Sequence, residues 1–146
     1  MTSPLRITFD VACPAEHAFA TWTSRIGTWW PPDHTVTGDR DLAIVLESGV
    51  GGRIYEQAPD GTEHEWGQVT VWQPPTRLAY RWYLGRDQAD ATEVEICFRP
   101  HGDNTRIDIE HRGWERVGAD WRDRNRIGWQ TLLPHYQKEI TDGRWD

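Results

Sequence analysis

The stretch that decides the fold runs from Glu47 to Trp72, ESGVGGRIYEQAPDGTEHEWGQVTVW. It sets two adjacent glycines, an arginine, acidic side chains and a tryptophan inside what reads as two paired β-strands. A strand pair that only closed a hydrophobic core would do so at lower backbone cost with unbroken alternation of branched apolar and polar residues. Gly51 and Gly52 therefore either shape the sheet or leave room for something beside it. After them the alternation resumes, with Arg53 and Tyr55 on one face and Ile54 and Glu56 on the other. Asp60-Gly61 is a hairpin signal. In the following strand the face bearing Gly67, Val69 and Val71 is the more apolar, which predicts it inward and sends Trp66 to an outer rim, a mobile loop or an oligomer contact. An outward Trp66 or Trp72 would anchor a homodimer.

Outward from this stretch the same period of two recurs. Leu5, Ile7, Phe9 and Val11 alternate with Arg6, Thr8 and Asp10, and Leu42 to Glu47 forms a further strand. Leu78, Tyr80, Trp82 and Leu84 form an inward set, as do Val94, Ile96 and Phe98. The turn HGDN leads into Thr105, Ile107, Ile109 and His111 on one face. Helical spacing interrupts twice. CPAEHAFATWTSRIGTWWPP reads as two short helical segments limited by Gly27 and Pro31-Pro32, and a long helix is predicted from Trp114, with Val117, Trp121, Gly128, Trp129, Leu132, Leu133 and Tyr136 on its stripe. Pro134 is expected to kink or break that helix near its last turns. The order is strand, two short helices, six strands, long helix: an α+β domain with a mostly antiparallel sheet covered on one side, spanning 1–146 without a second unit.

At 146 residues the chain is the size of one ordinary domain. Ten tryptophans put its apolar mass into large rings, which pack with gaps between them more readily than aliphatic chains do. A net charge of -7 argues against a nucleic-acid groove, and no apolar run is long enough to span a bilayer. Cys13 and Cys97 make neither a disulfide framework nor a metal cluster, and nothing at the amino terminus reads as a signal peptide, so a cytoplasmic location is expected. His64 between Glu63 and Glu65 divides its neighbours across two strand faces, unlike a metal-binding helix, and the glycines of GVGG lack a phosphate-loop or dinucleotide context. No serine sits in a nucleophile-elbow setting. No cofactor, no metal and no catalytic residue are therefore assigned.

The segments CPAEHAFATWTSRIGTWW, GVGGRIYE, DGTEHEWGQVTVWQPPTRLAYRW, TEVEICFRP, GDNTRIDIEHRGW and the late Gly128-Trp129 resemble bacterial START-like (SRPBCC) proteins, in the branch similar to the carboxyl-terminal domain of the activator of the heat-shock protein 90 ATPase. The resemblance implies a helix-grip fold with a pocket between curved sheet and last helix, which in that superfamily usually holds hydrophobic or aromatic small molecules. A small hydrophobic molecule is thus the expected partner. The expected ligand-binding residues are Tyr80, Trp82, Trp121 and Trp129 as walls and Trp30 at the entrance, with Arg53 or Glu56 and His111 as polar groups. His111 is read as a structural or ligand-orienting hydrogen-bond group ahead of a general base. The opposing reading is that these rings fill the interior completely. Two other functions stay open: an enzyme acting on an aromatic or polyketide-like compound (cyclase, hydratase or hydrolase), and a chaperone ATPase regulator.

Overall fold

The computed structural model describes residues 3–142. Seven strands, β1 (Leu5–Val11), β2 (Ala43–Leu46), β3 (Arg53–Gln57), β4 (Glu63–Gln73), β5 (Arg77–Trp82), β6 (Thr92–His101) and β7 (Asn104–Arg112), form one curled antiparallel sheet in the order β1-β7-β6-β5-β4-β3-β2. Two helices, α1 (Ala15–Trp22) and α2 (Ala119–Asp142), pack on one face of it, joined by short 3-10 turns at Ile26–Thr28, Pro32–His34 and Trp114–Arg116. The strands β2 to β5 meander, β6 and β7 make a hairpin, and β1 closes against β7 from Leu5↔His111 to Val11↔Thr105. The alternation legible in the sequence is obeyed on β7, where Thr105, Ile107, Ile109 and His111 are all buried.

Strand β4 does not obey it. Ile54 pairs with Gly67 and Tyr55 with Glu65, leaving Trp66 as an extra residue. On the other side Val69 pairs with Tyr80 and Val71 with Ala79, leaving Thr70 extra. Each bulge flips the facing of everything beyond it. Trp66, Val69 and Trp72 consequently all turn inward, which overturns the outward placement of Trp66. It is fully buried, and Trp72 stacks edge-on against Phe19 at 5.2 Å. Neither ring is available to anchor a dimer from the outer face.

Two of the glycines in the deciding stretch are required by close backbone approach. A Cβ at Gly67 would lie 2.3 Å from the carbonyl oxygen of Arg81, and one at Gly52 would lie 2.3 Å from that of Glu47. The glycines shape the sheet.

The terminal helix also differs from its expected outline. Gly118 takes φ +99°, so the segment from Trp114 is a separate 3-10 turn and α2 begins only at Ala119. At its far end the helix runs unbroken through Pro134 to Asp142. Beyond the proline, Tyr136 and Ile140 are buried in the core, and the Tyr136 hydroxyl donates to the carbonyl of Ala18 at 2.8 Å. This packing supplies what the lost hydrogen bond at Pro134 removes.

Candidate functional site

The inner face of β5, β6 and β7 meets α2 through one buried hydrogen-bond chain. The Trp129 indole can only donate, and it does so to His111 Nδ1 at 3.0 Å. That fixes the His111 proton on Nε2, which donates to Thr92 Oγ1 at 2.7 Å. The Thr92 hydroxyl in turn donates to the carbonyl of Trp82 at 3.3 Å, and Arg86 donates to both of those oxygens, at 3.3 and 3.1 Å. Burial, aided by the Arg86 charge, holds the His111 pKa down to about 3. With both ring nitrogens engaged and no exposed surface, His111 orients Trp129 and has no lone pair free to take a substrate proton.

In front of this chain lies a cleft of about 70 Å3 between the end of β5, α2 and the Pro32–His34 turn. Trp30, Trp82, Trp129, Leu84 and Leu132 form its walls, with His34, Asn125 and Gly128 completing the lining. Trp30 donates its indole N–H to the carbonyl of His34 at 3.0 Å. Trp66 stands 5.1 Å from Trp30 and 5.9 Å from Trp82, ring centre to ring centre. Trp82 differs from these neighbours: it is half-buried, and its indole N–H makes no hydrogen bond among the described residues. Gly128 is not a close-packing glycine, because a Cβ there would meet nothing within 4 Å. It lines the cleft. A larger groove of about 820 Å3 is lined by Val36, His64, Glu65, Arg86, Val117 and Trp121. The two linings are neighbours along the chain: on α2 Trp121 lines the groove and Asn125, one turn later, the cleft, and after β5 Leu84 lines the cleft and Gly85 the groove.

Of the residues singled out from sequence, the structure brings Trp30, Trp82 and Trp129 together in the cleft. Tyr80 sits behind Trp82 with ring centres 5.6 Å apart, and burial pushes its phenol well above the ordinary range. The Trp22 indole N–H, also behind the wall, is turned toward the Tyr80 hydroxyl without a hydrogen bond of good geometry. His111 lies behind Trp129, and Trp121 stands outside, in the groove. Arg53 is not brought in. Strand alternation puts it on the outer face, 4.3 Å from the Tyr55 ring centre and paired with Glu47 and Glu63.

The inward polar group of β3 is instead Glu56, which is fully buried. Its carboxylate accepts from Trp66 Nε1 at 2.8 Å, from the backbone N–H of Val36 at 2.6 Å and of Thr37 at 3.2 Å, and from the Thr37 hydroxyl at 3.1 Å. One acidic side chain thereby ties the segment after the Pro32–His34 turn to the sheet interior and fixes the ring of Trp66. Its inward parity with Ile54 was readable from sequence. Arg86, by contrast, lies in a polar loop that carries no period. Among the described residues no three His, Cys, Asp or Glu side chains gather as a metal site, and no helix is long and apolar enough to cross a membrane.

A curled antiparallel sheet gripping a carboxyl-terminal helix, with an aromatic cleft between them, defines a helix-grip, START-like ligand-binding fold. The chain belongs to the family described as activator of Hsp90 ATPase homolog 1-like protein, whose model matches residues 12–138. Among solved structures it is similar to an anthrahydroquino-gamma-pyrone synthase, Txn09, determined as a complex, with 37% identity over 80% of each chain and a TM-score of 0.60. It is also similar to CalC, a self-sacrificing resistance protein from Micromonospora echinospora, with 26% identity over 94% of each chain and a TM-score of 0.68. The Aha1 dimer from Colwellia psychrerythraea shares the fold at 15% identity, covering 99% of this chain and 100% of that one, with a TM-score of 0.71. No curated protein matches the chain.

Proposed function

We propose that the protein binds a planar, largely hydrophobic small molecule with a fused aromatic body, seated between Trp30, Trp82 and Trp129. The observation that carries this reading is the convergence of three indoles on one cleft, two of them pinned by hydrogen bonds and the third, Trp82, unpinned at the rim. Pinned rings offer a wall whose ordering cost is met before the ligand arrives. A fused ring system exceeds 70 Å3, so the half-buried Trp82 ring is the one that swings toward the outer groove to admit it. The likeness to Txn09 supports an aromatic ligand, since that protein is named for making an anthrahydroquinone-pyrone compound. Tyr80 and His111 support the wall from behind, and Trp121 meets the part of the ligand that reaches the groove.

The test uses Gly128. Gly128 lines the cleft and a Cβ there meets no atom within 4 Å, so Gly128→Leu should crowd the cleft while raising helix propensity by roughly 0.8–1 kcal/mol. Titration of a hydroxyanthraquinone, followed by calorimetry and tryptophan fluorescence, should give binding to the wild type and at least about tenfold weaker binding to the variant, with the melting temperature unchanged or higher. Equal binding by the two proteins would remove the cleft from the account.

A second reading, an enzyme acting on an aromatic polyketide-like compound, is favoured by the 37% identity to a synthase. His34 at the cleft and His64 and Glu65 in the groove are its candidate catalytic side chains. Mass spectrometry of the bound compound before and after incubation separates turnover from binding. A homodimer, as in the Colwellia relative, is a further proposal; it would use surfaces other than Trp66 and Trp72.

A further inference from the structure

Two guanidinium groups flank one indole in the outer groove: Arg86 at 5.0 Å and Arg124 at 5.1 Å from the centre of the Trp121 ring. Arg86 is held in place by neutral acceptors. Besides Thr92 Oγ1 and the carbonyl of the cleft wall residue Trp82, it donates to the carbonyl of Asp90 at 3.1 Å. Elsewhere arginines of this acidic chain are matched with carboxylates, as in Arg77 with Glu95, Arg112 with Glu93 and Glu95, and Arg116 with Glu93. Arg86 and Arg124 make no such pair among the described residues.

The other charges of the groove do not change that. Glu63 is paired with Arg53, and Glu65 accepts from the Tyr83 hydroxyl and from Gln88. Asp87 and Asp90 line the groove; Asp90 attracts Arg86 at longer range, but burial outweighs it and lowers the Arg86 pKa. A half-buried cation resting on neutral oxygens and an aromatic face gains from an anion placed beside it, through a charge-assisted hydrogen bond in a site of reduced dielectric.

We infer that the ligand is an acidic aromatic compound, its ring system in the cleft and an anionic oxygen group, such as a carboxylate, held by Arg86 over the face of Trp121. This rests on the ligand-binding reading above and names the substrate class of that same site. The experiment compares anthraquinone-2-carboxylate with the neutral 2-(hydroxymethyl)anthraquinone on the wild type, Arg86→Gln and Arg124→Gln. The wild type should prefer the carboxylate by at least about tenfold, and the preference should shrink as salt is raised. Arg86→Gln should bring the carboxylate-to-neutral affinity ratio close to one, whatever it does to the affinity for the neutral probe, and Arg124→Gln should lower that ratio in part. Equal affinity of the wild type for the two probes overturns the inference, whatever the variants do. A preference that survives Arg86→Gln in a variant still binding the neutral probe overturns the assignment to Arg86. Binding of neither probe takes down the ligand-binding reading itself, and this inference with it.

Discussion

Mild acid should weaken this fold through one buried imidazole. His111 has no place for a second proton, because its Nδ1 lone pair is taken by the Trp129 N–H and the residue is fully buried. Its native pKa of about 3 lies below the value near 6.5 expected in the unfolded chain. Between those values the unfolded state binds a proton that the native state refuses. The stabilisation from a neutral His111 is therefore complete above about pH 6.5 and is lost as the pH falls toward 3, at roughly 1.4 kcal/mol per pH unit. From pH 6.5 to pH 5 the loss is roughly 2 kcal/mol, or about 4–8 °C in melting temperature for a domain of this size. Urea unfolding followed by circular dichroism at pH 7, 6 and 5, on the wild type and on His111→Gln, measures it. Carboxylates held below their ordinary range, such as Glu47, Asp60 and Glu95, lose their contribution at lower pH, outside this window. His17, whose pKa is also lowered, contributes equally to both proteins and cancels. The variant will be less stable at every pH; the informative quantity is the slope, which should fall by close to one proton. Equal slopes in the two proteins between pH 7 and 5 would refute the assignment of a locked, neutral His111.

Glu56→Gln replaces an acceptor oxygen by a donor facing Trp66 Nε1, Val36 N and Thr37 N. It should cost about 2–4 kcal/mol in chemical denaturation, and a change under about 0.5 kcal/mol would show that the buried carboxylate is not the tie described. Gly67→Ala drives a Cβ against the Arg81 carbonyl, which backbone alone would have to relieve. The expected destabilisation is about 2–3 kcal/mol by the same assay, and a neutral effect would mean that β4 and β5 can separate at the bulge without cost.

How much of this was legible in the sequence depended on whether a period ran uninterrupted. On β1, β5 and β7 it did, and alternation alone placed Tyr80, Trp82 and His111 on the inner side. On β4 a single parity rule had to fail, because Trp66 and Thr70 each add a residue without adding a cross-strand partner. Trp82 and Trp129 were legible as inward rings of β5 and α2, whereas Trp30, read as an entrance ring, lies between two short turns, and its place beside them follows only from the fold. The state of His111 was not recoverable: its partner Trp129 is 18 residues away, and which nitrogen bears the proton follows only from which atom the indole reaches. Glu56 was legible as inward, yet its role depended on a turn whose backbone N–H groups no pattern announces. Arg86 lay in a loop with no periodicity to read, and its lack of a carboxylate partner is a property of three-dimensional neighbours.

The two bulges of β4 also determine where this strand can change length. Deleting an ordinary strand residue would turn every side chain on one side of the cut to the opposite face, carrying Val69 or Trp72 out of the core. Thr70 is an exception, since it has no partner on β5: without it the ladder from Val69↔Tyr80 to Val71↔Ala79 becomes regular and the flanking residues keep their faces. Only an exposed hydroxyl and the local bend would be lost. The same deletion at Trp66 would leave the pairing with β3 equally regular, yet it would take away a fully buried ring and the donor that Glu56 holds. Strand β4 therefore tolerates a shortening at its exposed threonine as a change in curvature, and four residues earlier the same shortening would open the core.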